Sequence, residues 1–198
     1  MLTPQPVSLA GPIVSLVPLS LEHLADLEAS FAPGVWRWSF YKPWEGDMRG
    51  YIEHSLDMCE TGRRVAFAVI DKASGRAIGG SSYMDWQAEK DRVEIGYTWY
   101  GPQWQRTGRN RACKLLMLDH AFDVLAANRV EFMGDAENMP SRNALSGIGA
   151  SFEGVLRETG PLPDGSGYRS TFYYSILKRE WPEVRAGLVA KINTISGG

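Results

Sequence analysis

Trp99-Tyr100-Gly101-Pro102-Gln103-Trp104-Gln105-Arg106-Thr107-Gly108-Arg109-Asn110-Arg111-Ala112-Cys113-Lys114-Leu115-Leu116-Met117-Leu118-Asp119-His120-Ala121-Phe122-Asp123-Val124-Leu125 reads as a strand end and a polar loop running straight into an amphipathic helix. Such a junction is an anion site. The first helical turn offers backbone N–H groups without intrahelical partners, at the positive end of the peptide dipoles. Gly108, just before that turn, lets the backbone approach a ligand closely. Arg106, Arg109, Arg111 and Lys114 make the locale strongly positive in a chain whose net charge is only -2. A phosphorylated cofactor is the natural occupant.

Downstream of the loop, Leu115, Leu118, Phe122 and Leu125 recur at three- and four-residue intervals, while Arg111, Lys114, Asp119 and Asp123 fall mainly elsewhere. That spacing gives a helix with one buried face. A strand over Arg129 to Asp135 follows at once, and a strand, crossover helix and strand of this length predict parallel pairing between residues 92–99 and 129–135. Upstream, 65–70, 77–86 and 92–99 read as three strands with short polar connections, an antiparallel meander. Val65 to Ile70 is apolar throughout and suits a strand covered on both faces.

Farther out, Ile13 to Val17 reads as a strand, and Ser20 as the cap of a helix over about 21–29. Met48, Tyr51, Ile52, Leu56 and Cys59 mark a second helix over 47–60, closed by Gly62. Asn138 caps a short helix to about Gly147, with Pro140 tolerated in its first turn, and strands near 151–158 and 168–177 complete the set. Pro161 to Gly167 is a turn-rich, mobile loop, and no internal repeat is present. The expected fold is α+β: a mixed, mostly antiparallel central sheet with one parallel pair, flanked by helices.

Two common phosphate motifs do not fit the junction. Neither G-x-x-x-x-G-K-[ST] nor G-x-G-x-x-G with a following acidic residue occurs. Gln105-Arg106-Thr107-Gly108-Arg109-Asn110 instead resembles the Q/R-x-x-G-x-G/A pyrophosphate loop of the acetyl-CoA-dependent N-acetyltransferases, the GNAT superfamily. Asn110 departs from the last position of that pattern and is similar to the Q-x-x-G-x-N loop of the RimJ/RimL branch, the ribosomal-protein N-terminal acetyltransferases. Other blocks resemble that branch in order, from about residue 10 to 185. They are Arg92 to Trp99, His120-Ala121-Phe122, Asn138 to Arg142, Gly149 to Arg157, Tyr174 to Leu177 and Glu180-Trp181-Pro182.

The resemblance implies a GNAT-type fold and a set of roles. The strand at Thr98, Trp99 and Tyr100 splays from its parallel neighbour and frees backbone groups for the pantetheine arm of acetyl-CoA. The amides of Arg106, Thr107, Gly108, Arg109 and Asn110 hold the pyrophosphate, with Gln105 a further cofactor-binding residue of the loop, so side-chain identity matters little except at Gly108. Arg109 or Arg111 adds a direct phosphate contact or is a solvated part of the helix face. A backbone N–H near Thr98 to Tyr100 meets the developing oxyanion. Asn138 and Ser141 inherit cosubstrate-binding and proton-donor roles by position, and both also fit plain helix capping.

Acetyl transfer to an amine needs a neutral nucleophile, a polarised thioester and a proton for the departing thiolate; positioning alone supplies up to roughly 7–11 kcal/mol. Glu94 is the leading general base, since it lies on the strand that leads to the thioester and, by simple alternation, shares a face with Gly96 and Thr98. The competing reading is a salt-bridged or solvated carboxylate. The aromatic-rich stretch Trp36 to Trp44 is either core or an acceptor platform, and Glu45, Asp47 or Asp85 is available to hold a substrate ammonium. His23, His54 and His120 lie in separate helices without metal-ligand spacing, and no G-x-S-x-G elbow surrounds any serine. No metal is expected.

Length and composition set the remaining bounds. At 198 residues and 44% hydrophobic content the chain is expected to form one domain over 1–198. No apolar run approaches the roughly 20 residues of a membrane span, and the start lacks a secretory pattern. A cytoplasmic protein is expected, with Cys59 and Cys113 as free buried thiols. Mixed charge argues against nucleic acid as a partner. The expectation is therefore a monomeric or homodimeric N-acetyltransferase that moves acetyl from acetyl-CoA to a primary amine, foremost a protein N-terminal α-amine. The alternatives are a small-molecule amine, such as an antibiotic, polyamine or amino-acid-like toxin, and a non-catalytic acyl-CoA-binding module.

Overall fold

One sheet of eight strands organises the chain, in the order β1-β2-β3-β4-β5-β6-β8-β7. The computed structural model describes residues 1–39, 46–162 and 165–196. The strands are β1 (Leu9–Ala10), β2 (Val14–Pro18), β3 (Arg64–Asp71), β4 (Ala77–Gln87), β5 (Arg92–Tyr100), β6 (Arg129–Asp135), β7 (Ser151–Pro161) and β8 (Tyr168–Leu177). The helices are α1 (Leu24–Ser30), α2 (Met48–Glu60), α3 (Arg109–Asp119), α4 (Met139–Gly147) and α5 (Trp181–Ser196).

Pairing is antiparallel everywhere except between β5 and β6, where α3 is the crossover. The expected meander is thus borne out and extended on its outer edge by β2 and β1. Tight turns fix it locally: Asp71 Oδ2 accepts from Ser74 N (2.9 Å) and Ser74 Oγ (2.7 Å), and Gly75 follows at φ +70°.

Burial explains the layering. Val65, Phe67 and Val69 of β3 pack with Met117, Leu118, Phe122, Leu188 and Ile192, on the side of α3 and α5. The intervening Ala66 and Ala68 pack with Leu27, Trp36, Tyr51 and Ile52, on the side of α1 and α2. Large residues on one face and small ones on the other let both layers close on β3, as its unbroken apolar run predicts.

Three expectations need correction. Helix α5 was not foreseen, although Trp181, Val184, Leu188 and Ile192 carry its apolar stripe. Helix α3 ends at Asp119, and His120–Val124 continues as one π-helical turn rather than regular helix to Leu125. Cys113 is a buried free thiol, whereas Cys59 is only half-buried. Of the aromatic-rich stretch, Trp36 is buried core, its ring 5.3 Å from Tyr51 and 5.9 Å from Trp99. Phe40, Tyr41, Lys42, Pro43, Trp44 and Glu45 lie outside the described residues, as do Pro163 and Asp164 of the turn-rich loop.

Candidate active site

The single parallel pair is also where the sheet opens. β5 and β6 are in register only at Arg92↔Arg129, Val93↔Val130 and Glu94↔Glu131. From Ile95 onward β5 keeps β4 on one edge and has no β6 partner on the other. The backbone groups on that edge through Thr98, Trp99 and Tyr100 are thereby released to pair with an extended ligand.

A bulge lies within the freed segment. Gly80 pairs Trp99 and Ser82 pairs Gly96, so Tyr97 and Thr98 together oppose Ser81, and Tyr97 adopts φ +48°. The bulge reverses side-chain alternation. Ahead of it Val93 and Ile95 pack on the α3 side; beyond it Trp99 joins the α1/α2 side and Thr98 meets Lys114 of α3. Glu94 therefore does not share a face with Thr98, contrary to simple alternation.

Glu94 lies at the last rung before the strands part, 5% exposed. Its carboxyl takes no hydrogen bond from the described residues. Gly96 makes room for it: a Cβ there would stand 2.8 Å from Glu94 Oε1 and 2.8 Å from Met84 Sδ. Burial, then the nearby charges of Asp85 and Glu131, pushes the Glu94 carboxyl up to about 8. Its neighbours are clamped as anions instead. Arg92 Nη1 donates to Glu131 Oε2 at 2.7 Å and Arg129 Nε to Glu131 Oε1 at 2.6 Å. Arg129 also forks onto Glu153, holding that carboxyl down at about 2 against the cost of its burial. Asp85 accepts from Arg92 Nη2 at 3.3 Å, which commits it to the clamp, while Asp47 stands exposed at the start of α2 without a side-chain cap bond.

The loop expected to bind an anion lies at the far end of the freed strand. Arg106 at φ +60° and Gly108 at φ +85° are both left-handed, so the loop curls its successive N–H groups into the N-terminus of α3. The loop side chains turn inward. Gln105 Nε2 donates to Tyr100 O (3.1 Å), Thr107 Oγ1 to Trp104 O (2.6 Å) and Arg109 Nε to Asp71 Oδ1 (2.8 Å). The Arg109 guanidinium also stacks 4.7 Å above the Trp104 ring, so it is a structural tie rather than a solvated cation. Asn110 Oδ1 is buried and has no hydrogen-bond partner among the described residues. A glycine-containing turn at a helix start, with the Gln105, Thr107 and Arg109 side chains tied back, fits a phosphate group.

Asn138 is the N-cap of α4, its Oδ1 accepting from Ser141 N at 3.1 Å. The capping role is thus realised. Ser141 Oγ is half-buried and makes no hydrogen bond with the described residues.

Sequence reasoning missed Lys114. It was set apart from the helix's buried face, yet it is 3% exposed, with Nζ donating to Thr98 Oγ1 (2.6 Å) and Ser81 Oγ (3.2 Å). The available signal was its place in the stripe with Met117, Leu118 and Ala121. Arg64 was missed as well: 2% exposed, it donates to Ser82, Ser55 and Tyr51 and stacks 4.2 Å over Tyr97, pinning α2 to the sheet below the bulge. The described residues contain no group of three His, Cys, Asp or Glu able to hold a metal ion, and no helix among them is long and apolar enough to cross a membrane.

Comparison with known proteins agrees with this geometry. The family model described as "Acetyltransferase (GNAT) domain" matches residues 14–151. An uncharacterized N-acetyltransferase, p20, from Bacillus licheniformis is 30% identical over 137 residues, 67% of this chain and 73% of that protein. A putative ribosomal N-acetyltransferase, YdaF, from Bacillus subtilis is 34% identical over 90 residues, 46% of this chain and 48% of that protein. The crystal structure of a GCN5-related N-acetyltransferase from Brucella melitensis superposes with a TM-score of 0.87 at 29% identity, covering 96% of this chain and 87% of that one. The splayed parallel pair, the amide-lined helix start and the family match agree: the chain belongs to the GNAT family of acetyl-CoA-dependent N-acetyltransferases.

Proposed function

We propose that the acceptor is a protein N-terminal α-amine, acetylated directly from acetyl-CoA in a ternary complex, with Glu94 as general base. The observation that carries this reading is the buried Glu94 carboxyl beside the opening of β5 and β6, without a hydrogen bond and with its proton affinity raised to about 8. A base is most effective when its pKa lies near that of the group it deprotonates and near the working pH. An α-amine titrates at about 7.7–8.0, matched to Glu94; a lysine at about 10.4 is mismatched by more than two units and less than a thousandth neutral at pH 7. The similarity to a putative ribosomal N-acetyltransferase supports the same acceptor class.

The other roles follow the loop and the freed strand. Amides of Arg106 to Asn110 hold the pyrophosphate, with Gly108 giving the turn its shape and the Gln105 N–H closing the preceding turn on Pro102 O. Backbone groups of Thr98, Trp99 and Tyr100 pair with the pantetheine arm, and one of those N–H groups stabilises the oxyanion, a contribution of about 3 kcal/mol per donor. Asn138 orients the start of α4, and Ser141 is the proton source for the sulfur. The acetyl group bound at the thioester supplies the electrophile; the protein positions, polarises and deprotonates.

A panel tests the acceptor: peptides with free N-termini, N-blocked peptides containing lysine, polyamines and aminoglycosides, each with acetyl-CoA and mass detection. Product confined to free peptide ends is the expected result. Product only from small amines would make the acceptor a metabolite or drug and remove the N-terminal reading.

A further inference from the structure

We propose that the Thr98 hydroxyl, held by Lys114 and Ser81, is the hydrogen-bond donor that takes up negative charge on the coenzyme A sulfur as the acetyl group leaves. This rests on the reading that Thr98 to Tyr100 line the acyl end of the cosubstrate.

The argument is one of hydrogen counting. Lys114 Nζ, Ser81 Oγ and Thr98 Oγ1 form a closed triangle with sides of 2.6, 3.2 and 2.8 Å. Below about pH 8 Lys114 is an ammonium that only donates, and it donates to both hydroxyls. Ser81 is fully buried, so its hydrogen needs an internal acceptor, and Thr98 Oγ1 is the one in contact. Thr98 then accepts from two donors and has no lone pair to spare inside. Its own hydrogen has to point away from the triangle, and Thr98 is the exposed member.

The result is a hydroxyl whose direction is fixed and whose acidity is raised by a cation behind it. It stands in the freed stretch of β5, as the second residue of the bulge. The groups facing Lys114 are Ser81 on β4, Thr98 on β5, the Phe132 ring 5.9 Å away on β6 and Cys113 beside it on α3, and the Glu94 charge acts on it from the other face of the sheet. No carboxylate lies at ion-pair distance among the described residues, so the charge is left to act through the hydroxyls. Because the bulge reverses the faces, Glu94 and Thr98 serve opposite sides of one strand: amine on the α1/α2 side, thiolate on the α3 side.

In the transfer, the amine nitrogen bonds to the carbonyl carbon, the C–S bond breaks and the sulfur keeps the electron pair. Thr98 O–H donates to that sulfur. The amine proton passes to Glu94, and the sulfur's proton arrives from Ser141 or solvent. Thr98 is thus the catalytic contact, and Lys114 and Ser81 are positioning residues.

The test is the ionisation of CoA thiol bound to the protein, followed by thiolate absorbance, which needs no acceptor. Free thiols ionise near about 8.5, and the bound thiol is expected at least about one unit lower. Thr98→Val should raise it by about one unit with CoA affinity within about threefold, and Thr98→Ser should restore it. Ser81→Ala and Lys114→Met retain the hydroxyl but free its direction or remove the cation, so intermediate rises are expected even if Thr98→Val misfolds. An unshifted thiol in Thr98→Val or in both positioning variants would overturn the proposal, as would a wild-type protein that binds no CoA. A thiol shift with no transfer to any peptide would uphold the proposal and remove only the acceptor reading.

Discussion

Glu94 and Glu131 face each other as Cα partners on the last rung before β5 and β6 separate, both side chains buried, yet only Glu131 is gripped by arginines. Arg92 and Arg129 pair with Glu131, while burial first, and then the charges of Asp85 and Glu131, make the Glu94 proton hard to remove. A like-charge pair with one member neutralised yields one structural anion and one titrating acid.

The first consequence is a stability that declines with rising pH. The folded chain holds the Glu94 proton up to about 8, whereas the unfolded chain loses it near 4.5. Between those values the folded state binds more protons, so stability falls as pH rises, by up to about 5 kcal/mol over the window. Lys114 acts in the opposite sense at higher pH. Burial lowers it from 10.5 to about 8, so the folded state binds fewer protons there and stability recovers as pH climbs between those values. Urea unfolding at pH 5, 8 and 10 should show a minimum near 8; Glu94→Gln should flatten the lower limb and Lys114→Met the upper one.

Gly96→Ala isolates the room left for the Glu94 carboxyl. The added Cβ meets the Glu94 carboxyl and the Met84 sulfur at 2.8 Å, and both are ends of flexible side chains. Stability should fall by about 1 kcal/mol or less, while kcat drops about tenfold or more as the carboxyl is displaced. Calorimetry should find acetyl-CoA affinity unchanged; a normal kcat would mean that the carboxyl position does not matter.

At Gly108 the φ of +85° decides the outcome. Gly108→Val places a β-branched residue in left-handed backbone, which costs about 1–2 kcal/mol and reshapes the amide row. Acetyl-CoA affinity should fall at least about tenfold, with the far-ultraviolet spectrum preserved.

Arg109 separates from its basic neighbours in a stability scan. Its guanidinium bonds to Asp71, which is 1% exposed. Burial alone would raise that carboxyl, but hydrogen bonds from Ser74 and Arg109 outweigh it and hold it below its usual value. Arg109→Gln should cost about 2 kcal/mol at neutral pH by leaving a buried anion short of a partner. The same change at Arg106 or Arg111 should cost under about 0.5 kcal/mol. Chemical denaturation of the three variants ranks them directly.

How far the sequence carried these conclusions varied with how local the cause was. The junction from Gln105 to the start of α3 was legible because a glycine, a polar loop and an apolar stripe are adjacent in sequence. The parallel pair was legible because a crossover helix leaves few other pairings. The side reversal at Tyr97 was not, since a bulge on a non-glycine residue leaves no mark in the apolar alternation; it depends on β4 and β5 pairing out of step. Lys114 was hidden for a similar reason. A lysine beside three arginines reads as surface, and the hydroxyls that compensate its burial come from Ser81 and Thr98, far away in the chain. Arg109 was read as a phosphate contact or a solvated helix residue because its partner Asp71 lies at the end of β3, far away in the chain.

The central claim is that Glu94 acts on the acceptor amine, and kcat for a free N-terminal peptide at pH 8, saturating in acetyl-CoA, tests it most directly in wild type and Glu94→Gln. A fall in kcat of about 10²-fold or more, with acetyl-CoA dissociation constants within about twofold, is the predicted result. A Glu94→Gln variant that turns over within about threefold of wild type would contradict it, leaving transfer to positioning alone.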